Sequence, residues 1–600
     1  MIKQNIPARV CRRKVRVNMD YRTEYRKWLS SAVLSQAEHL ELEAIANDEK
    51  EQESRFFAPL SFGTAGLRGV LGMGLNRMNI YTVRQATQGI AELVVSCGKE
   101  AMARGVAVCH DCRIMSPEFA REVASVLAGN GIAVHIFDAM RPTPELSFAI
   151  RALHCIAGIN ITASHNPKEY NGYKVYWEDG AQLPPDHADE VSREMERIDI
   201  FTGVRRMDFS DGCDKGLIVR IGEKMDEAFL RAVLDCRTDP EILEQYGNAV
   251  GIVYTPLHGT GYRLVPEVLK RAGVTNLRVV ESQRKPDGDF PTVAVPNPEN
   301  KACFAEAIDL VLRDGTDCDL IIGTDPDADR VGVVVKDANG LFVPLSGNEL
   351  GALLVDYIIQ ARRRKGTLPE NACAVKSIVS SELFTAICKK NGVTPINVLT
   401  GFKYIGEKIA EYEKTKQYTF LFGYEESYGF LSAGYVRDKD AVAGSLLIAE
   451  MAAYYKSVGT TLYGAIHALY KEYGYYGETV LNIQVGGIDP MAEMNKRMAG
   501  LRGAPFDSIA DCKVIRVRDY LRKTVFNLTD GTTGMTDLPQ SDVLYFELED
   551  ETNVIVRPSG TEPKIKVYIL AKGKDERELD AKKAVYTAFL KAQFPDEKRG

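Results

Sequence analysis

The sequence predicts an α/β protein: three consecutive α/β domains with mixed, mainly parallel sheets, followed by a C-terminal α+β domain. Three observations carry this. Six hundred residues exceed what one hydrophobic core organises, and ordinary domain sizes divide them into roughly three to five units. Helix-period and strand-period segments alternate in three rounds, and each round ends a strand in a polar loop. The last ~125 residues abandon that rhythm for a small sheet and one long helix, the pattern of an α+β unit.

In the first round a helix is predicted from Asn79 to Ser96, then a strand from Val106 to Cys109. A second helix opens with Ser116 as N-cap and Pro117 at the first helical position, and closes near Gly129. The strand Ile132 to Phe137, a helix from Thr143 and a strand that carries the apolar run Ile156–Ile161 and ends at Thr162 complete it. The second round runs from the strand Ala249–Tyr254 through the Gly259–Gly261 turn and Leu277–Val280 to Cys318–Gly323. The third begins with the helix Asn348–Arg362 and continues through Cys373–Val379 and Ile396–Leu399 to Thr419–Phe422. Alternation of this kind gives parallel sheets covered on both faces, with ligands beyond the carboxyl ends of the strands. The closing unit uses Val480–Val485, Val543–Glu547, Val554–Val556, Ile565–Ala571 and a helix from Glu576 to Phe594. Domain boundaries are accordingly expected at 1–225, 226–345, 346–475 and 476–600.

An apolar share of 45% with 26% charged residues is that of an ordinary globular chain. Its 75 basic against 82 acidic residues, a net charge of −7, argue against a general nucleic-acid or membrane-surface role. A basic pocket for a small anion remains compatible with that sum, because local charge can oppose the net sign. No apolar stretch approaches the ~20 residues that cross a bilayer. Residues 1–18 are basic (Arg9, Arg12, Arg13, Lys14, Arg16) but lack the apolar core of a secretory signal. Met19 precedes a helix-like segment from Asp20 to Leu34 and is expected as the true start, with a transit peptide the alternative. A cytoplasmic location is expected. The 12 scattered cysteines form no secreted disulfide framework, and Cys109–Cys112 lacks a second C-x-x-C to complete a zinc site. Cys109 reads as core.

Four loops carry chemistry. Asp325, Asp327 and Asp329 put three carboxylates on one side of a loop after an apolar strand, the donor set of a hard divalent cation, best Mg²⁺. An EF-hand fails, since Arg330 replaces its glycine and Lys336 its glutamate; an aspartate-nucleophile phosphatase fails at Asp329. Thr162–Pro167 offers the hydroxyl of Ser164 beside His165. It has no G-x-S-x-G setting, and neighbours in an extended loop point apart, so a hydrolase triad is excluded while catalysis and a plain turn stay open. Arg557–Pro563 presents a guanidinium, two hydroxyls and a glycine between two strands, a cradle for phosphate. Gly63–Gly69 carries Arg68 but fits neither a Walker loop nor a dinucleotide fingerprint.

Taken in order, the Arg68-Gly69 segment, the Thr162–Pro167 loop, Asp325–Arg330, Gly423–Ser427 and Arg557–Thr561 resemble the α-D-phosphohexomutase superfamily from about Arg22 to Phe594. The resemblance implies four domains around a central active-site cleft, and a serine at 164 that is phosphorylated in the resting enzyme. It implies Mg²⁺ held by Asp325, Asp327, Asp329 and a phosphoserine 164 oxygen. Such a charge cluster is untenable without a cation. It further implies basic residues Arg68 and Lys174 around the transferring phosphate, with Lys174 or His165 moving protons and Arg330 facing the phosphoryl group. Glu425 and Ser427 would take sugar hydroxyls, Lys403 would discriminate sugar orientations, and Arg557, Ser559, Gly560 and Thr561 would hold the distal phosphate.

The expected reaction exchanges sugar 1-phosphate and 6-phosphate through a sugar bisphosphate that serves as intermediate and activator. The Tyr424–Gly429 segment looks closer to the phosphoglucomutase and phosphopentomutase-like branch than to bacterial phosphomannomutases, which favours glucose. Mannose or pentose phosphates, a bisphosphate-sugar synthase and a non-catalytic phosphosugar-binding protein are the alternatives. The expected partner is a small phosphosugar, with no nucleic acid or membrane, and the expected assembly is a monomer or weak dimer.

Overall fold

A computed structural model describes residues 20–486, 490–559 and 564–595. The first sheet has the order Leu67–Val70, Tyr170–Trp177, Ala157–Ile161, Val106–His110, Val134–Phe137, Ile218–Ile221. Its last four strands run parallel, while Tyr170–Trp177 pairs antiparallel with Ala157–Ile161 and with Leu67–Val70. The second sheet joins Leu320–Thr324, Ile252–Thr255 and Leu277–Val279 in parallel, then turns back through Val331–Lys336 and Phe342–Leu345. The third places Ala372–Ser377 between Thr394–Val398 and Thr419–Glu425, all parallel, with Gly429–Leu431 as an antiparallel edge. The fourth is an antiparallel sheet of eight strands with the helices Pro490–Gly503 and Glu576–Gln593.

Local chemistry explains where elements start. The helix Ile80–Ser96 begins on a capping box, since Asn79 accepts from the Tyr81 and Thr82 amides and Thr82 accepts from the Asn79 amide. Ser116 departs from expectation. It is the first helical residue, Met115 in the left-handed region takes the cap position, and Ser116 Oγ donates to Asp111 Oδ1 at 2.8 Å. A buried carboxylate competes for that hydroxyl and wins it from the helix end. The expected helix from Asp20 to Leu34 stops at Leu29, and two short helices follow at Gln36–Glu43 and Glu49–Phe56. Trp28 and Phe56 pack edge-to-face there, making a small core out of segments with little periodicity.

The helix Ala441–Ser457 is apolar on every face, and a helix of that kind needs cover all round. Pro240–Tyr246 and Gly261–Arg271 pack on it from the second domain, and Gly347–Arg364 from the third. One apolar cluster therefore runs from Phe229 to Leu469 across both domains. Each fully buried Leu or Ile in it contributes about 1.5–3 kcal/mol of transfer free energy. Asp440 caps this helix, accepting from the Val442 and Ala443 amides, and so sets where the preceding charged segment Arg437–Lys439 lies.

Candidate active site

The three carboxylates form the tip of a β-hairpin, because Val331 pairs back onto Thr324. The turn is tight enough to bury Asp325, Asp327 and Asp329 completely or nearly so. Asp325 Oδ1 accepts from the Asp329 and Arg330 amides at 3.1 and 3.0 Å, and Ala328 adopts a left-handed φ of 49°. Gly259 lies so close beneath that an added Cβ would meet Pro326 Cα at 2.4 Å. One oxygen from each of the three carboxylates lies within 4.8 Å of the others. Asp327 Oδ1 and Asp329 Oδ1 are buried with no hydrogen-bond partner, which is costly unless a cation takes them.

Ser164 reaches this cluster from the other sheet. The fully buried strand Ala157–Ile161 ends in Thr162, whose Oγ1 accepts from the Ser164 amide at 2.9 Å. Ser164 takes a left-handed φ of 52°, and its Oγ donates to Asp325 Oδ2 at 2.7 Å. The loop is therefore not extended at the serine, and the expectation that Ser164 and His165 point apart fails. The turn brings His165 Nδ1 to 3.3 Å from Ser164 Oγ. Burial, then the Arg330 and Arg68 charges, push the His165 imidazole well below its ordinary pKa, so the ring is neutral.

Cations answer the carboxylates. Lys174, on the Tyr170–Trp177 strand, donates to Asp327 Oδ2 at 2.6 Å and Asp329 Oδ2 at 3.0 Å. Lys439 adds a 3.0 Å ion pair to Asp329. Burial works against the Lys174 ammonium, but Asp327 and Asp329 outweigh it and hold its pKa above the ordinary value. Conversely, Asp327 and Asp329 lie below the usual carboxylate range despite burial, because these lysines favour the charged forms. Asp325, with no lysine of its own, is pushed well up by burial and by its two acidic neighbours. The residues fit a divalent cation: three carboxylates, two orphaned oxygens and an unsatisfied negative charge beside a hydroxyl.

Arg68 projects from the edge strand Leu67–Val70 and donates to Asn166 Oδ1 at 3.0 Å. Gly66, at φ 77°, approaches so closely that a Cβ would fall 1.7 Å from Tyr173 O, so the glycine lets this segment lie on the lysine-bearing strand. Arg330 pairs with Glu299 at 2.6 Å rather than standing free. In the third domain, Glu425 Oε1 accepts from the Gly401 amide at 2.6 Å, and Ser427 follows in the turn to Gly429–Leu431. Lys403 Nζ donates to Thr64 Oγ1 at 3.3 Å, linking the third domain to the first. Arg557 donates to Thr400 Oγ1, linking the fourth to the third. Ser559 closes the Asn553–Pro558 strand with its amide on Lys564 O at 2.8 Å. Gly560 and Thr561 lie outside the described residues.

Several residues escaped the sequence. Lys439 carried a signal, a charged tetrad Arg437–Asp440 directly before a mostly apolar helix. Thr143 did not: it reads only as a helix start, yet its Oγ1 donates to Asp327 Oδ2 at 2.7 Å and its amide to Asp327 O at 2.9 Å. Lys566 faces Arg557 across the strand pair, and burial followed by the Arg557 and Lys564 charges lowers its pKa. The Cys109–Cys112 spacing holds no disulfide; Cys109 is core, donating to Arg141 O at 3.3 Å.

Models of the phosphoglucomutase/phosphomannomutase family match this chain in four consecutive blocks: α/β/α domains I, II and III at residues 59–200, 228–340 and 346–473, and the C-terminal domain at 533–588. A phosphoglucomutase of Staphylococcus aureus strain MRSA252 is 37% identical over 533 residues, 88% of this chain and 92% of that protein. Strain USA300 has one that is 37% identical over 530 residues, 87% of this chain and 91% of its own length. Among solved structures, the open form of the Paramecium phosphoglucomutase parafusin shares the fold at a TM-score of 0.65 and 18% identity, covering 90% of this chain and 96% of that one. A phosphoglucomutase/phosphomannomutase family protein from Burkholderia thailandensis does so at 0.62 and 19%, covering 90% and 98%.

Proposed function

Because the chain belongs to the phosphoglucomutase/phosphomannomutase family of sugar-phosphate mutases, we propose that it interconverts glucose 1-phosphate and glucose 6-phosphate through phosphoserine 164. The observation that carries this reading is the 2.7 Å contact of Ser164 Oγ with Asp325, at the centre of a buried triad with two orphaned oxygens. A phosphoryl group near −2 on that hydroxyl needs a divalent counter-ion, and the triad supplies its ligands. Bound there, Mg²⁺ supplies Lewis-acid polarisation of the phosphoryl oxygens.

In the first half-reaction the bond between phosphorus and Ser164 Oγ breaks as a bond to the free sugar hydroxyl forms. The hydroxyl proton passes to the serine side. His165, neutral and 3.3 Å from Ser164 Oγ, stands at that end of the transfer. Lys174 is engaged by two carboxylates and serves charge rather than proton transfer. The sugar bisphosphate then reverses, and its other phosphate returns to Ser164. Arg557, with Lys566 opposite it on the neighbouring strand, and Ser559, Gly560 and Thr561 take whichever phosphate is distal; Glu425, Ser427 and Lys403 read the sugar between. Arg68 and Arg330 face the transferring group. A mutase of this kind works on a cytoplasmic metabolite pool, as a monomer or weak dimer.

The rates with glucose, mannose, ribose and glucosamine 1-phosphates, compared in one coupled assay with Mg²⁺, test the assignment. Glucose 1-phosphate should give the highest kcat/KM. A preference for mannose or ribose refutes the glucose reading, and no turnover of any of them refutes the enzyme.

A further inference from the structure

We propose that Arg113 is a positioning residue that clamps the Ser164 loop in its reactive conformation. This rests on the mutase reading above. Ser164 is a non-glycine residue in the left-handed region, a strained conformation that persists only where the surroundings over-determine it. Thr162 and Asp325 hold the amide and hydroxyl of Ser164, and one further side chain holds the carbonyls of the loop. Arg113 Nη2 donates to Ser164 O at 2.6 Å and to Asn166 O; Nη1 donates to Pro167 O at 2.8 Å and Tyr170 O at 3.0 Å. Four carbonyls of the serine loop therefore converge on one guanidinium, and hydrogen bonds to a charged group are stronger than those between neutral groups.

The guanidinium is itself fixed. It is 1% exposed, and its Nε lies 3.3 Å from Asp111 Oδ2, whose other oxygen accepts from the Arg113 amide and from Ser116. Its open face stacks on the buried Phe290 ring, 5.0 Å from centroid, and Phe290 belongs to the second domain. That loop presses directly on the Arg113 turn: a Cβ on Gly288 would meet Ile114 N at 2.6 Å and Cys112 O at 2.8 Å. Lys168 and Asp289 add a 3.2 Å ion pair at the rim. The clamp thus fixes the nucleophile-bearing loop and registers it against the domain that carries the aspartates. Lysine cannot replace it, because a single ammonium lacks the planar fork that spans four acceptors.

The test uses the full chain with glucose 1-phosphate and Mg²⁺, comparing wild type, Arg113→Lys and Phe290→Leu by steady-state kinetics, thermal midpoint and amide hydrogen exchange. Arg113→Lys should lower kcat about a hundredfold, as a small misplacement of reacting groups does, with KM nearly unchanged. Amide protection should fall in residues 163–170 and not in the rest of the first sheet. Phe290→Leu should give the same signature, a few-fold in size, and carries the test alone if Arg113→Lys does not fold. Wild-type kcat, unchanged loop exchange, or a loss spread over the whole first domain overturns the clamp. A wild-type chain without mutase activity overturns the functional reading instead, and the exchange measurement still decides the clamp.

Discussion

The two ends of the cleft are built differently. At the serine end the buried groups converge on one another: Asp327 takes Thr143 twice and Lys174, Asp329 takes Lys174 and Lys439, and Asp325 takes Ser164 and two amides, which leaves one orphaned oxygen each on Asp327 and Asp329 for a cation. At the proposed sugar end the contacts are single ones: Arg557 on Thr400 and Lys403 on Thr64 across domain boundaries, and Glu425 on Gly401 within the third domain. The first arrangement is a rigid, desolvated charge cluster suited to stabilising a transferring phosphoryl group. The second is a set of single contacts that tie the loops of three domains together and hold their side chains in place.

The sharpest break falls at the serine end. Ser164→Ala should lower mutase turnover by about 10⁴-fold or more, read in the coupled assay, because it removes the hydroxyl that sits on Asp325 while the other hydroxyl at the triad, that of Thr143, is spent on Asp327. Next, Asp327→Asn should weaken Mg²⁺ binding by about a hundredfold in a calorimetric titration. It should also lower the thermal midpoint, since Lys174 loses a buried partner at a cost of about 3–5 kcal/mol. The sugar end should respond more mildly. Thr400→Val removes the acceptor of Arg557 and should raise KM for glucose 1-phosphate about tenfold at nearly constant kcat. A kcat collapse there would erase the distinction between the two ends.

The smallest effect is a pH dependence. Burial, then the neighbouring Glu426 charge, push Glu425 from an ordinary 4.5 up to about 7. The folded protein therefore keeps a proton that the unfolded chain releases above pH 4.5. Stability from this group is fully present below that value and is lost as pH rises through about 7. The ionised form is the better acceptor for sugar hydroxyls, so KM should fall across the same step. Glu425→Gln should flatten both curves, measured as midpoint and KM against pH.

The same contrast explains what could be read from the residues. Asp325, Asp327 and Asp329 sit at alternate positions of one loop, so the cation site was legible locally, and the Ile156–Ile161 apolar run announced the buried strand that delivers Ser164. The strand Tyr170–Trp177 was not foreseen, although Lys174 was: its burial on both faces removes the alternation that marks a strand. Thr143, Arg113 and Lys439 depend on contacts between segments distant in sequence, and no local pattern encodes those. Ser116 shows local grammar overridden, its capping hydroxyl claimed by Asp111.

Incubation of the full chain with Mg²⁺ and glucose 1,6-bisphosphate, followed by peptide mass spectrometry, tests most directly whether Ser164 relays the phosphoryl group. One phosphoryl group should appear on the peptide containing Ser164 and leave when excess glucose 1-phosphate is added, at a rate no slower than turnover. Full mutase turnover with Ser164 never phosphorylated would contradict it.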